Sequence, residues 1–455
     1  MKKVHFIAIG GSAMHNLAIA LHLKGYHVSG SDDEIFEPSK SRLEKYGILP
    51  TVNGWHPEKI TPEIDEIILG MHARIDNPEL IKAQELGLKI YSYPEYLYEQ
   101  SKSKTRIVIG GSHGKTSITA MILHVMQKLK IECDYMVGAQ LEGFEVMVKL
   151  TNSAKYMVIE GDEYLTSPID RRPKFHLYMP DVAIISGIAW DHINVFPTFE
   201  NYVDQFRKFI ELINPKGTLI YCKEDNELVK LANTTAIELK KIGYSIPMHI
   251  IDDQGTTRII DGKVEVPLKV FGEHNLMNLN AAQLACEQIG IHKIDFYDAI
   301  ASFKGASNRL ELIAENDTTK VYKDFAHSPS KLKATTAAVK AQYKNSELVA
   351  VMELHTFSSL SAEFLSHYAG AMNTADQAIV YFNPHTIAHK KLAAISIDQV
   401  KAGFAKADLL VFTESTLLQS HLLSIDFTNR NLLIMTSGNL DGVNLKGFAG
   451  KICNQ

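Results

Sequence analysis

Residues 108–121, VIGGSHGKTSITAM, restrict the fold more than any other stretch of this chain. An apolar run enters two glycines, and Gly114-Lys115-Thr116 then open an amphipathic segment. Such a strand–turn–helix presents backbone N–H groups and the positive end of a helix dipole to an anion, which makes it a phosphate-binding element of an α/β protein. The common pattern GxxxxGK[ST] needs glycine at position 109, and isoleucine stands there. The loop is therefore the shortened set Gly111, Ser112, His113, Gly114, Lys115, Thr116 and Ser117. In it Lys115 is expected to reach β/γ-phosphates and Thr116 to hold Mg²⁺. On its own, a GKT after a strand is also compatible with a chance helix start.

The same β-turn-α rhythm recurs along the chain. VHFIAI (4–9) reads as a buried strand followed by Gly10-Gly11-Ser12 and a helix, and HVSGSD ends at Asp32 as a second strand. Gly10, Gly11 and Ser12 fit a diphosphate-binding turn, with Asp32 placed for a ribose or a neighbouring group; close helix–strand packing is an equal reading of the glycines. EIILG (66–70) and KIYSYPEYL (89–97) continue the alternation, and the polar run EQSKSKT (99–105) reads as a linker. A second unit starts at RIVIGG, passes through KYMVIEG (155–161) and DVAIISGI (181–188), and closes with the helix after GEHNLMNLNAA (272–282). A third runs from NRLELI (308–313) to NLLIMTSG (431–438). At 455 residues the chain exceeds one core. The expectation is three α/β domains at 1–103, 104–306 and 307–455, Rossmann-like at both ends around a central P-loop ATPase-like domain.

Strand ends behind the loop carry the next signals. Glu160 closes YMVI and is placed to bind Mg²⁺, and Asp191-His192 after the next strand repeats the geometry with an imidazole. Taken alone, Glu160 reads first as part of an acidic surface turn and His192 as an ordinary hydrogen-bonded polar residue; two such strand ends behind one GKT are less easily dismissed. Asn275 and Asn278, three apart, share one helical face and suit a base edge, although Asn275 also fits an N-cap. Net charge of −5 provides no basic field for nucleic acid or an anionic membrane. Four scattered cysteines make neither a metal pattern nor a disulfide framework. His5 and Gly10-Gly11 interrupt the first apolar run, which argues against a signal peptide, and no stretch is long enough to span a bilayer; a soluble cytoplasmic protein is expected.

Taken together these stretches resemble the Mur ligase family, ATP-dependent amide ligases of peptidoglycan metabolism, whose phosphate loop is of this shortened type. The resemblance is collinear over nearly the whole chain. It puts Glu160 on the family's Mg²⁺-binding glutamate and His192 on its Asp-His motif. In GASNRLEL it puts Arg309 on a phosphate-contacting arginine, and in DFAHSP it puts Asp324 on an ATP-binding aspartate. It implies a UDP-sugar-binding first domain and a third domain that closes over ATP and binds the amine substrate. Lys115, Glu160, His192 and Arg309 are then the catalytic group. FEPSKSRLEKYGI (36–48) and GDEYLTSPIDRRPKFHLYMP (161–180) resemble the branch that joins UDP-N-acetylmuramate to the tripeptide L-Ala-γ-D-Glu-meso-diaminopimelate. Arg171, Arg172 and His355 are the implied peptide contacts, and free L-alanine is the alternative acceptor. The chain departs from the family at Ser112, Gly187, Ala189 and Asn194, and at Thr356, where arginine is expected. No lysine after His192 aligns as a carbamylated residue. A P-loop switch ATPase explains only the GKT, and a dinucleotide oxidoreductase explains only the first glycine turn.

Overall fold

The structure is a computed structural model that describes residues 1–454 except 142, 191–194 and 253–254. The chain gathers into two compact units: Met1–Ser245 with Asn278–Ile300, and Ile246–Met277 with Ala301–Gln455.

The first unit holds two sheets. β1 (Lys3–Ile7), β2 (His27–Ser31), β3 (Glu66–Leu69) and β4 (Ile90–Ser92) form an all-parallel sheet in the order β2-β1-β3-β4. Helices α1 (Ser12–Leu23), α2 (Ser39–Lys45), α3 (Pro78–Glu85) and α4 (Tyr93–Ser101) connect and follow these strands. The polar run expected as a linker is shorter than read, because α4 uses its first residues; Ser92 and Glu95 close a capping box at the start of that helix.

The second sheet is built from β5 (Thr105–Gly110), β6 (Cys133–Met136), β7 (Val148–Lys149), β8 (Tyr156–Glu160), β9 (Val182–Ile185), β10 (Thr218–Cys222) and β11 (Lys240–Tyr244). Its order is β11-β10-β9-β5-β8-β6-β7, parallel except for the β6–β7 pair. β5 lies in the middle and is buried on both faces, which is why Ile107, Val108 and Ile109 run without polar alternation. Helices α5 (Lys115–Lys128), α6 (Phe199–Glu211) and α7 (Asn226–Thr234) flank it. The chain passes to β8 on one side of β5 and to β9 on the other, so the crevice at the end of β5 is a topological switch point.

Helix α8 (Glu273–Gln288) starts in the second unit and continues in the first, followed there by α9 (Lys293–Ile300). The second unit contains a small antiparallel sheet, β12 (His249–Ile251), β13 (Thr257–Asp261) and β14 (Val264–Pro267), which the sequence reading did not separate. Its main sheet comprises β15 (Glu311–Glu315), β16 (Lys320–Asp324), β17 (Glu347–Leu354), β18 (Gln377–Phe382), β19 (Leu410–Phe412) and β20 (Arg430–Met435). The order is β15-β16-β20-β17-β18-β19, parallel but for β15–β16. Along β17, Leu348, Ala350 and Met352 enter one core with Leu332 and Val339 of α10 (Pro329–Gln342) and Val400 and Phe404 of α12 (Ile397–Phe404). Val349 and Val351 enter the other, with Leu418 of α13 (Ser415–Ser424) and Phe448 of α14 (Leu445–Cys453). This period of two buries both faces, and α11 (Pro384–His389) follows β18. The third alternating unit thus runs beyond NLLIMTSG, with α14 closing one core.

Candidate active site

Gly111 and Gly114 have φ of +120° and +78°, so the turn between β5 and α5 uses left-handed conformations that other residues avoid. A side chain at Gly114 would also strike the Asn278 amide, and one at Gly111 would strike Ser186. The loop is tied to the segment after β9: the Ser112 N–H donates to the Gly187 carbonyl at 3.0 Å, and the Ala189 N–H donates to Ser112 Oγ at 2.8 Å. The His113 carbonyl accepts from the Ser186 hydroxyl, and His113 Nδ1 lies 2.7 Å from the Ser112 carbonyl. Ser117 is buried in the first turn of α5.

Lys115 Nζ donates to the Gly111 carbonyl at 2.6 Å and to Glu163 Oε2 at 2.8 Å. Burial alone pushes its ammonium down, but the carboxylates of Glu163, Asp162 and Glu160 outweigh that and hold it above the ordinary lysine value. Thr116 Oγ1 donates to Glu160 Oε1 at 2.8 Å, and Glu160 Oε2 accepts the Gly138 N–H at 2.9 Å. The sequence therefore brings Lys115, Thr116 and Glu160 together. Among the described residues no group of three or more His, Cys, Asp and Glu gathers as for a metal. Thr116 and Glu160 still supply two hard oxygens side by side, which fits Mg²⁺, a cation that keeps several waters and binds through one or two protein ligands plus phosphates. Asp191 and His192 lie outside the described residues.

In the first sheet, Gly10 and Gly11 turn the chain from β1 into α1, which begins at Ser12. The Gly10 N–H donates to Asp32 Oδ2 at 2.6 Å, so Asp32 faces the glycine turn itself. Burial, reinforced by Asp33, raises the Asp32 carboxyl to about 7 against the pull of the Gly10 and Asp33 N–H groups. Arg171 and Arg172 are exposed in an excursion closed by the Leu165–Pro173 bridge. Arg172 pairs there with Asp170 at 2.6 Å.

The second unit places Asp324 at the end of β16, where its two oxygens accept the Leu310 and Ala326 N–H groups, each at 2.6 Å. Burial pushes this carboxyl up, opposed by the Arg309 charge. The Arg309 guanidinium lies 4.8 Å from the centre of the Phe325 ring, and its Nη1 donates to the Asn308 carbonyl at 3.1 Å. Asn275 spends its amide on the Phe271 carbonyl at 2.9 Å, inside the first turn of α8, so it acts locally there. Asn278, in the first unit, packs under Gly114. His355 follows β17, its Nδ1 3.7 Å from the buried Glu353. Thr356 closes a local turn by accepting the Ser359 N–H at 3.1 Å.

An open cavity of about 650 Å³ lies beyond the ends of β18 and β19. Asn383, His385, Glu414, Asp441, Asn444 and Lys451 line it. Sequence reasoning missed this cavity, and took Glu163 only as an alternative to Glu160 for the metal, not as the partner of Lys115. Tyr202, which touches Glu163, carries no local signal at all because the two are 39 positions apart.

The chain matches the Mur ligase family catalytic domain over residues 3–105, the Mur ligase middle domain over 109–286 and the Mur ligase glutamate ligase domain over 308–423. It is 31% identical over 397 residues to the UDP-N-acetylmuramate–L-alanine ligase of Caldicellulosiruptor bescii, covering 84% of this chain and 83% of that one. It is 26% identical over 455 residues to the UDP-N-acetylmuramate–L-alanyl-γ-D-glutamyl-meso-2,6-diaminoheptandioate ligase of Haemophilus influenzae, covering 98% of each. The crystal structure of UDP-N-acetylmuramate-alanine ligase from Thermotoga maritima has the same fold, with a TM-score of 0.70 at 20% identity over 100% of this chain and 99% of that one. With its three domains in collinear order and the phosphate loop, Thr116 and Glu160 assembled as described, this chain belongs to the Mur ligase family of ATP-dependent, amide-bond-forming ligases of peptidoglycan.

Proposed function

We propose that this ligase joins UDP-N-acetylmuramate to the tripeptide L-Ala-γ-D-Glu-meso-diaminopimelate, as a murein peptide ligase of peptidoglycan recycling working in the cytoplasm. The observation that carries the choice of acceptor is the cavity of about 650 Å³ at the strand ends of the second unit. Ligand pockets in general run from roughly 300 to 1,000 Å³, so this one has room for a peptide. Free L-alanine needs far less. The lining offers groups of both signs for a zwitterionic peptide, Lys451 for a carboxylate and Glu414 and Asp441 for an ammonium, with Asp441 also accepting from Asn383 at 2.7 Å. Segments 36–48 and 161–180 point to the same branch.

In this reading the lactyl carboxylate of the sugar nucleotide attacks the γ-phosphate of ATP, giving an acyl phosphate and ADP. The peptide's neutral α-amine then attacks the acyl carbon, the C–O bond to phosphate breaks with its electron pair leaving on inorganic phosphate, and the nitrogen sheds one proton to give the amide. Two anions meet in the first step, so Lys115 and Arg309 offset their repulsion and stabilise the transferring group. Mg²⁺, when bound by Thr116 and Glu160 with His192, adds positive charge at the phosphates. Asn278 and Asp324 serve ATP, and the Gly10-Gly11-Ser12 turn with Asp32 serves the UDP moiety. The domain limits we assign are 1–103, 104–306 and 307–455.

The reading is tested by incubating the protein with ATP, Mg²⁺, UDP-N-acetylmuramate and an equimolar mixture of tripeptide and L-alanine, and weighing the products. The UDP-N-acetylmuramyl-tripeptide is expected. A product carrying alanine alone refutes the acceptor assignment.

A further inference from the structure

Glu163 stands three residues beyond Glu160, with a side chain only 1% exposed. Its Oε2 accepts from Lys115 Nζ at 2.8 Å, and its Oε1 accepts from the Tyr202 hydroxyl at 3.1 Å. Tyr202, fully buried on α6, also meets Ser112 Oγ at 2.9 Å, and that same Oγ accepts the Ala189 N–H. One chain of polar contacts thus runs from the loop lysine through a carboxylate and a phenol back to the loop serine. Neither Glu163 nor Tyr202 has a part in the two chemical steps.

Fold stability alone accounts poorly for Glu163. Desolvating a carboxylate is costly, and this one adds to the negative charge that Asp162 and Glu160 already place around Lys115, with Asp162 itself paired to Lys174 at 2.6 Å. What the arrangement provides is aim. A lysine is a point charge on a flexible four-carbon stem, and it stabilises a transferring phosphoryl group only if held where charge develops.

We propose that Glu163 is a positioning residue for ligation, fixing the Lys115 ammonium at the loop while Tyr202 and Ser112 hold the carboxylate in register. This rests on the phosphate-loop reading. Glu163 is an anion and repels phosphate, so its role is in turnover and not in ATP affinity.

The test is steady-state phosphate release by Glu163→Gln, which keeps shape and removes charge. Expected is a fall in kcat of roughly tenfold to a hundredfold, the scale of a misplaced catalytic group. The ATP KM does not rise, and the Mg²⁺ concentration for half-maximal rate stays put. Tyr202→Phe falls less, in the same pattern, and the double variant falls by less than the product of the two. A kcat equal to the parent's overturns the proposal, as does a raised Mg²⁺ requirement, which makes Glu163 a metal ligand. Should Glu163→Gln fail to fold, Tyr202→Phe decides: an unchanged kcat overturns. Lys115→Ala is run alongside. If it keeps parental turnover, the loop reading itself fails, an outcome separate from the failure of Glu163.

Discussion

Lys115 sits among three carboxylates and donates to a loop carbonyl, so its charge is held in place before any phosphate arrives. Lys115→Ala is therefore expected to lower ligation by about 3–4 kcal/mol of transition-state stabilisation, two to three orders of magnitude in kcat, with unchanged circular dichroism. Near-parental turnover in the folded variant removes the loop from the site. Glu160→Gln keeps the acceptor for Thr116 but removes the charge, so activity falls steeply and added Mg²⁺ restores little; an unchanged metal dependence moves the cation elsewhere. Asp32 yields a prediction in pH. Its carboxyl titrates near 7 in the folded chain, above the ordinary carboxylate range, so the folded state holds that proton more tightly than the unfolded state. Its stabilising contribution is full below about pH 4 and is lost as pH rises through about 7. Asp32→Asn should gain stability relative to the parent across that interval, read as the denaturant midpoint at successive pH values. A difference that does not vary with pH contradicts the burial of an ionisable group there.

Elements were legible where one residue type has one structural use. The glycines at 111 and 114, the strand before them and the helix after them follow from sequence because their φ angles exclude most alternatives. Glu160 was legible on a different ground, as a polar residue ending an apolar strand behind the glycine loop. What escaped depends on contacts distant in sequence: Tyr202 reaches Ser112 across 90 positions, and the Ile188 N–H is taken by Asp225, which also caps α7 through the Leu228 N–H at 3.0 Å. Asp225→Ala should cost about 1–2 kcal/mol of stability through the lost cap, measured by chemical denaturation. A change within experimental error means that water replaces both bonds. The small sheet β12–β14 escaped because its strands are short and only partly buried, so they lack the apolar runs that betray the central strands. The cavity escaped because helix ends and turns from three separate stretches line it.

At the scale of the whole molecule, the alternation of strands and helices specified parallel sheets at both ends and in the centre, and the family match follows the same order. Acceptor identity is another matter. It rests on the lining of one cavity, on residues such as His385 and Lys451 whose types carry no motif, and relatives named for either acceptor match this chain at similar identity. The most direct measurement is steady-state phosphate release with ATP, Mg²⁺ and UDP-N-acetylmuramate, comparing kcat/KM for L-Ala-γ-D-Glu-meso-diaminopimelate with that for L-alanine. Efficient turnover with the tripeptide and little with alanine is expected; turnover with alanine and none with the tripeptide would overturn the acceptor assignment.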